Sequence, residues 1–238
     1  MGHFDYYHYQ ATARGIRGLD DVRKAALDRV HVWNRIVLPW LPSAPQQPIT
    51  ELACGHGSFL WWLKERGFER VTGVDSSPEQ IAFARQVGVS TCLQDAIEWL
   101  RLQPDQSQAA LAGIDFLEHL SKDDVMELLR HCKRVLTPGG RLILRYPNGD
   151  SPLVGMNLFN DITHVWTYTP NCLETLARMH EFSRAHFVDE SDRAIRDRRW
   201  LKVPLCRLSQ ALLRGLLQAA AKHKVKFWSP NIWACLEC

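Results

Sequence analysis

The sequence predicts a doubly wound α/β fold with a mostly parallel sheet, because short apolar strands alternate with amphipathic helices. Two consecutive units carry the pattern: ITELACGHGSFLWWLKERG reads as strand, glycine turn and helix, and RVTGVDSSPEQIAFARQVG repeats the plan. Each parallel connection needs a covering helix, so helices are expected on both faces of the sheet. Of the 238 residues, 46% are apolar and 23% are charged, which fits a globular chain and excludes a disordered or coiled-coil one.

The other elements extend this pattern in both directions along the chain. Apolar residues recur at helical spacing in residues 18–40, and a proline-rich stretch ends that helix. After the second unit we predict a third strand at 90–93, a helix at 96–102, a fourth strand at 109–114, a helix at 123–136 and a fifth strand at 141–148. In the fifth strand, Leu142, Leu144 and Tyr146 alternate with Ile143, so the two sets should face opposite sides of the sheet.

The chain is expected to have two parts. Residues 1–48 would form the N-terminal helix together with an aromatic segment, Phe4 to Tyr9, that closes as a lid or remains a flexible tail. Residues 49–238 would form the α/β domain, with a basic helical insertion at about 192–228. The start of the chain carries no signal peptide or lipidation motif and its seven cysteines are scattered, so a cytoplasmic location is expected.

Acidic residues and glycines follow the predicted strands, where ligands bind in open parallel sheets. Gly55 and Gly57 allow a tight turn close to a ligand, and Asp75 ends the second strand, where an acid can hold both ribose hydroxyls. The turn lacks the third glycine of a dinucleotide-binding loop, because Leu60 stands where that glycine would fall. These features favour a nucleoside cofactor without a pyrophosphate.

With these motifs, residues 49–182 resemble the class I S-adenosylmethionine-dependent methyltransferases. ELACGHG resembles the glycine-rich first motif of that family, VTGVDSSPEQIAFAR its second motif, and LQDA the segment beside adenine. The resemblance implies a Rossmann-like methyltransferase fold of seven strands, whose last two strands form an antiparallel pair, with S-adenosyl-L-methionine as cofactor and S-adenosyl-L-homocysteine as product. Carried over position by position, it implies these contacts: Glu51, Ala53, Cys54, Gly55 and Gly57 for the methionine end, Asp75 and Ser76 for the ribose, Asp95 and Ala96 for adenine, and Ile114 and Asp115 beside the sulfonium.

The segment after the fourth strand supplies candidates for the reacting end. Asp115, Glu118 and His119 are three and four residues apart, so they would share one face if the chain is helical there. A histidine with a pKa near neutrality suits removal of a proton from an acceptor hydroxyl. In the similar ubiquinone-pathway O-methyltransferases, resembling residues hold a divalent metal, an interpretation that we do not favour for these three residues. They could also simply cap and pack the start of a helix.

The segment between the fifth strand and the next helix predicts an acceptor site. Amide and carboxylate side chains, among them Asn148 and Asp161, alternate with aromatic residues such as Tyr168, a combination that suits a sugar ring. His164 is a second candidate base, or a residue that fixes this loop through Asp161. The segment resembles methyltransferases of bacterial polysaccharide and lipopolysaccharide biosynthesis, which implies O-methylation of a sugar or glycan hydroxyl.

The C-terminal part of the chain is basic. Ten lysines and arginines stand against three acidic residues between positions 192 and 238, which gives this part a net charge of +7 in a chain of net charge +3. Leucines recur at helical spacing from Leu205 to Leu217. Such a helix would pack on its own domain or on a twin subunit in a homodimer, or it would rest on anionic lipid as a peripheral membrane contact at the inner face.

Other functions have less support in the sequence. Nucleic acid as a partner is suggested by the charge alone, since Asp115-Phe116-Leu117-Glu118 stands where base-amino methyltransferases carry a proline-rich motif. A non-enzymatic scaffold would be expected to have a broken cofactor motif, and the motif here is intact. An acceptor that is a phenol, a quinone precursor or an amine stays open.

Overall fold

The computed structural model describes residues 15–190, 203–221 and 226–238. The seven strands are β1 (Ile49–Leu52), β2 (Val71–Asp75), β3 (Ser90–Leu93), β4 (Gln108–Ile114), β5 (Leu136–Pro147), β6 (Arg184–Asp189) and β7 (Asn231–Glu237). They form one sheet in the order β3-β2-β1-β4-β5-β7-β6. The first five strands pair in parallel, and β7 runs antiparallel to both β5 and β6. The predicted seven-stranded, doubly wound architecture is therefore confirmed.

Helices cover both faces of this sheet. They are α1 (Leu19–Ile36), α2 (Ser58–Glu65), α3 (Pro78–Ala84), α4 (Ala96–Leu102), α5 (Lys122–Val135), α6 (Gly155–Leu158), α7 (Pro170–Met179) and α8 (Val203–Ala221). Buried side chains of α1, α2 and α3 pack on one face, and those of α4, α5 and α7 pack on the other. In β5, Leu142, Leu144 and Tyr146 belong to the second of these cores and Ile143 to the first, as the alternation predicts.

Side-chain oxygens cap the first turns of several helices. Ser77 caps α3, Ser121 caps α5 and Thr169 caps α7, each accepting a hydrogen bond from a backbone N–H of the first turn. Pro78 and Pro170 occupy the first turns of α3 and α7, where a missing N–H costs no helical hydrogen bond. These caps fix where the chain leaves each strand end and enters a helix.

Some predicted boundaries were wrong. β5 begins at Leu136, five residues before the predicted start at Arg141, because Leu136 pairs with Gln108 across an irregularity in the β4–β5 ladder. The segment after β4 is a short 3₁₀ turn, Leu117–His119, and not the start of a regular helix. Asp115, Glu118 and His119 consequently do not share one helical face.

Two predictions lie at the margins of the described residues. The predicted lid, Phe4 to Tyr9, falls outside them, as do residues 191–202 and 222–225 of the basic insertion. The leucine-rich part of the insertion is helical, as predicted, and forms α8. Within the described part of the chain, no helix is both long enough and apolar enough to cross a bilayer.

Candidate active site

The site opens at the carboxyl ends of the parallel strands, beside β1 and β4, where the strand order reverses direction. A cavity of about 870 Å³ lies there. Most of the sequence-predicted residues line it, although Gly57 does not: Glu51, Ala53, Cys54, Gly55, Asp75, Ser76, Asp95, Ile114, Asp115, His119, Asp161 and His164. Residues expected at the cofactor end and at the reacting end therefore share one cavity.

The glycine turn after β1 has the backbone that its sequence predicts. Gly55 and Gly57 have φ angles of 53° and 87°, in the left-handed region that glycine adopts without a Cβ clash. A Cβ on Gly57 would stand 3.0 Å from the Cα of Ala84, so the turn lies directly against α3. Ala53 also has a positive φ, of 52°, which marks this turn as strained.

Asp75 connects the turn to the end of β2. Its Oδ2 accepts a hydrogen bond of 2.8 Å from the Gly55 N–H, and its Oδ1 accepts one of 2.8 Å from the Ser77 N–H. Burial raises the pKa of Asp75, and these two hydrogen bonds partly oppose the rise. Each oxygen keeps a second lone pair, so the carboxylate can also accept two ribose hydroxyls.

Glu51 fits the amino-acid end of the cofactor. It is buried at the end of β1, and its Oε2 has no hydrogen-bond partner. Burial raises the pKa of Glu51 well above its ordinary value, and the nearby charge of Asp75 raises it further. An ammonium group of a ligand would donate a hydrogen bond to this carboxylate and offset the free-energy cost of burying it unpaired.

Asp95 caps α4 after β3, the strand next to β2 and Asp75. Its Oδ1 accepts hydrogen bonds from the Ile97 and Glu98 N–H groups, at 2.8 and 3.0 Å. The adjacent Ala96 is buried and does not line the cavity. Because the cap fixes Asp95 after β3, this residue can border adenine, as the resemblance implies.

Asp115 is held by an arginine that the sequence analysis missed. Asp115 adopts a φ of 53° after β4 and accepts a hydrogen bond from Arg145, which is buried in β5 and also contacts Glu190 at 2.7 Å. Burial acts to lower the pKa of Arg145, but Asp115 and Glu190 outweigh it and raise the pKa. A charged residue inside the apolar run RLILRYP was the signal that could have identified Arg145.

The reacting end brings together Glu118, His119 and His164. The two imidazole rings lie 4.7 Å apart between centroids, and the Nε2 of His164 is 3.9 Å from the Oε1 of Glu118. Glu118 is only 2% exposed, and its Oε2 has no hydrogen-bond partner. Burial raises the pKa of Glu118 well above its ordinary value, and the charge of Asp115 adds to the effect.

A hydrogen-bond relay orients His119. Thr163 donates its hydroxyl proton to Asp161 Oδ1 at 2.6 Å, so its oxygen accepts from the Nδ1–H of His119 at 2.9 Å. The lone pair of His119 is then on Nε2. Burial lowers the pKa of His119, His164 lowers it further and Asp161 opposes the change, so the neutral ring, which can accept a proton, predominates at pH 7. His164 is oriented separately, because its Nδ1–H donates to the Leu158 carbonyl at 2.9 Å.

The same trio is the arrangement that could hold a metal ion. One ligand atom from each of Glu118, His119 and His164 lies within 4.8 Å of the others. Two imidazoles and one carboxylate suit a transition metal. The possible metal ligands named from the sequence were Asp115, Glu118 and His119, without His164. The structure corrects this, because the Asp115 carboxylate is engaged by Arg145.

Two residues expected to bind the acceptor have structural roles instead. Asn148 is fully buried, and its Nδ2 donates to the carbonyls of Phe227 and Ser229 at 3.1 and 3.0 Å. Tyr168 is buried and pairs with Asn148 in an isolated bridge. Of the residues described, those that line the cavity include Asp161 but neither Asn148 nor Tyr168.

Comparisons with known proteins find methyltransferases among the similar sequences. Residues 49–140 match the family model described as a methyltransferase domain. The chain is 35% identical over 116 residues to YqeM of Bacillus subtilis, a protein named as a methyltransferase, with 47% of this chain and 46% of that protein covered. It is 27% identical over 154 residues to the tRNA U34 carboxymethyltransferase of Cellvibrio japonicus, with 61% and 47% covered. It is also 30% identical over 101 residues to a ubiquinone biosynthesis O-methyltransferase of Xanthomonas oryzae, with 40% and 41% covered.

The fold is also found in solved structures. A S-adenosylmethionine-dependent methyltransferase from Archaeoglobus fulgidus superposes with a TM-score of 0.70 at 22% identity, and the match covers 98% of this chain and all of that one. The chain spans about half the length of the curated relatives named above. Residues 49–140 therefore match a methyltransferase domain, and the chain has the fold of S-adenosylmethionine-dependent methyltransferases. The match supports the enzyme class expected from the sequence, and the fold agrees with the expected cofactor.

Proposed function

We propose that the chain transfers a methyl group from S-adenosylmethionine to a hydroxyl of a sugar or glycan. The observation that carries the proposal is the shared cavity, which is lined both by Glu51 and Asp75 and by His119 and His164. When bound, S-adenosylmethionine supplies an electrophilic methyl group. Holding that group and the acceptor in line is the main task of the surrounding residues.

His119 is the base in this proposal. An acceptor hydroxyl loses its proton as its oxygen gains the methyl group, and Nε2 of His119 can take that proton because the ring is neutral and held by Thr163. The proton then resides on an imidazolium that the Asp161 carboxylate stabilises through Thr163. The ring centroid of His164 lies 4.7 Å from that of His119. His164 is the alternative base for an acceptor that binds in a different orientation.

A polyhydroxylated acceptor is supported by the polarity of the cavity wall. Beyond the cofactor end, the lining includes five polar residues: Arg145, Asn157, Asn160, Asp161 and Asn231. Amide and carboxylate groups can donate to and accept from several hydroxyls at once. The predicted aromatic platforms contribute less, since Phe159 is 84% exposed and Tyr168 is buried.

A phenolic acceptor is the second candidate, favoured by the likeness to a ubiquinone biosynthesis O-methyltransferase. The same base chemistry applies, because a phenol also loses a proton on O-methylation. Binding of nucleic acid, suggested by the likeness to a tRNA carboxymethyltransferase, should be strongly weakened by salt, which gives a direct test.

The first experiment is calorimetric titration with S-adenosylmethionine and with S-adenosylhomocysteine, with and without a chelator. Binding of both by folded protein is expected, and its absence would refute the proposal. Transfer of labelled methyl groups is then compared among nucleotide sugars, lipid-linked glycans, phenols and RNA. Labelling of phenols or RNA but of no sugar would overturn the assigned acceptor while leaving the enzyme class intact.

A further inference from the structure

We propose that the mouth of the cavity docks on the surface of an anionic lipid bilayer, through two exposed apolar segments. One is the mouth segment, defined as residues 153–166, which includes α6. The other is α8. Docking is independent of methyl transfer, so it can be measured without an acceptor.

The mouth segment has two differently composed sides. Four of its polar residues line the cavity, namely Asn157, Asn160, Asp161 and His164. Its large apolar residues are exposed: Leu153, Met156, Phe159, Ile162, Val165 and Trp166, with Phe159 and Ile162 at 84% and 87%. Single exposed apolar residues are common on protein surfaces, but six within 14 residues form a patch. Such a patch indicates an interaction surface.

α8 presents a second apolar surface. Leu208, Leu212 and Leu216 are spaced four residues apart on this 19-residue helix, and all three are exposed, as is Leu213. The helix contains Arg207 and Arg214 and no acidic residue. An amphipathic helix of this composition is typical of segments that lie in the headgroup region of a membrane.

The root of the mouth segment is bonded to residues 227–231, which follow α8 in the chain. Asn148, just before the mouth segment, donates to the carbonyls of Phe227 and Ser229, which follow α8 in the chain. Ser151 donates to the Trp228 carbonyl at 2.8 Å, and Pro147 pairs with Asn231 at the end of the β5–β7 ladder. The roots of the mouth segment and of the stretch after α8 are therefore joined beside the cavity.

The positive charge of the C-terminal part of the chain favours an anionic binding partner. Residues 192–238 carry ten basic against three acidic residues, and the Nζ of Lys122 lies 4.1 Å from the ring centroid of Trp166 in the mouth segment. A lysine beside a tryptophan is a common anchor at the bilayer interface. A second copy of the chain would bring a basic surface of the same sign, whereas anionic lipid attracts each basic residue close to it.

The test is sedimentation of the full chain with vesicles of phosphatidylcholine alone and of an equal mixture of phosphatidylcholine and phosphatidylglycerol. We expect binding to the mixed vesicles that is at least several-fold stronger and that weakens as salt is added. The double substitution of Phe159→Ser and Ile162→Ser should reduce that binding about tenfold or more, because both apolar contacts are lost. Both residues are exposed, so the variant should keep its thermal unfolding midpoint and its affinity for S-adenosylhomocysteine.

The matched control is Leu102→Ser at the end of α4, where Leu102 is 72% exposed on another part of the surface. This variant should bind vesicles as the unchanged chain does. The proposal is overturned if no vesicle sediments the protein, or if Leu102→Ser weakens binding as much as the double substitution does. It is also overturned if ultracentrifugation shows a dimer that the double substitution dissociates. Cofactor titration of the same samples reports separately on the proposed function.

Discussion

At the residue scale, the proposed cofactor site depends most directly on Asp75. Replacing Asp75 with alanine removes the hydrogen-bond partner of the Gly55 N–H and the proposed acceptor for the ribose hydroxyls. Hydrogen bonds to a charged group contribute about 1.5–3 kcal/mol, so Asp75→Ala should weaken the binding of S-adenosylhomocysteine by about tenfold to a hundredfold in calorimetry. Asp123→Ala, on the exposed first turn of α5, is the control and should bind normally. Unchanged affinity in Asp75→Ala would contradict the assigned cofactor position.

The relay from Asp161 through Thr163 to His119 makes a prediction about pH. Activity should fall as the pH drops through the lowered pKa of His119, because the protonated ring cannot accept a proton. In Thr163→Val the contact with Asp161 is broken, so the pKa of His119 should fall further and the acid limb of the rate profile should move to lower pH. The rate constant kcat should fall about tenfold or more because the ring is less well oriented, with cofactor affinity unchanged.

Titration of the histidine rings by NMR would follow this pKa without any acceptor. Thr175→Val is the control, since Thr175 is an exposed threonine of α7 that bonds to its own helix. An acid limb that does not move in Thr163→Val would show that the relay has no part in setting the basicity of His119.

At the scale of elements, the turn between β1 and α2 depends on Gly57. An alanine at this position would have to adopt a left-handed φ, at about 1–2 kcal/mol, and its Cβ would stand 3.0 Å from Ala84 of α3. Gly57→Ala should therefore lower the free energy of unfolding by about 2–4 kcal/mol and weaken cofactor binding. Urea denaturation and calorimetry measure the two effects.

Gly67 provides the matched control. Its φ of 84° resembles that of Gly57, but a Cβ there meets nothing within 4 Å. Gly67→Ala should lower the free energy of unfolding only by the strain of the left-handed φ, and it should leave cofactor binding unchanged. Equal losses of stability in the two variants would mean that the contact of the turn with α3 contributes nothing.

The elements also show how far the sequence alone can predict the molecule. Each strand–turn–helix unit around Asp75 was predictable, since local periodicity and capping residues determine it. The proximity of His164 to Glu118 and His119 could not be predicted. It depends on the conformation of a loop that contacts residues distant in sequence. The neighbouring Thr163 lies 44 residues beyond His119. The buried position of Asn148 was also hidden, because its carbonyl partners lie at 227 and 229, beyond an insertion.

At the scale of the whole molecule, the match with known methyltransferases covers only part of the cavity wall. The matched segment, residues 49–140, contains Glu51, Asp75, Asp95 and Asp115, and also Glu118 and His119 of the reacting end. Arg145, the polar residues of the mouth segment and Asn231 also line the cavity and lie outside the match. Substitutions at these outer positions should therefore change acceptor preference in the proposed reaction more than cofactor binding.

The N-terminal helix joins the rest of the molecule through an aromatic cluster, which bears on the expected division at residue 48. Trp33 of α1 is 1% exposed and lies 5.2 Å from Phe59 and 5.6 Å from Trp62 of α2, between ring centroids. Trp33→Ala should lower the free energy of unfolding by about 3–5 kcal/mol, because a large buried ring is replaced by a cavity. Since α1 shares its core with α2 and β1, denaturation should remain a single transition with coincident fluorescence and circular dichroism curves.

Leu27→Ala, an exposed site on the same helix, should change stability by less than about 0.5 kcal/mol. A separate early transition in Trp33→Ala would instead show that residues 1–48 unfold as an independent unit.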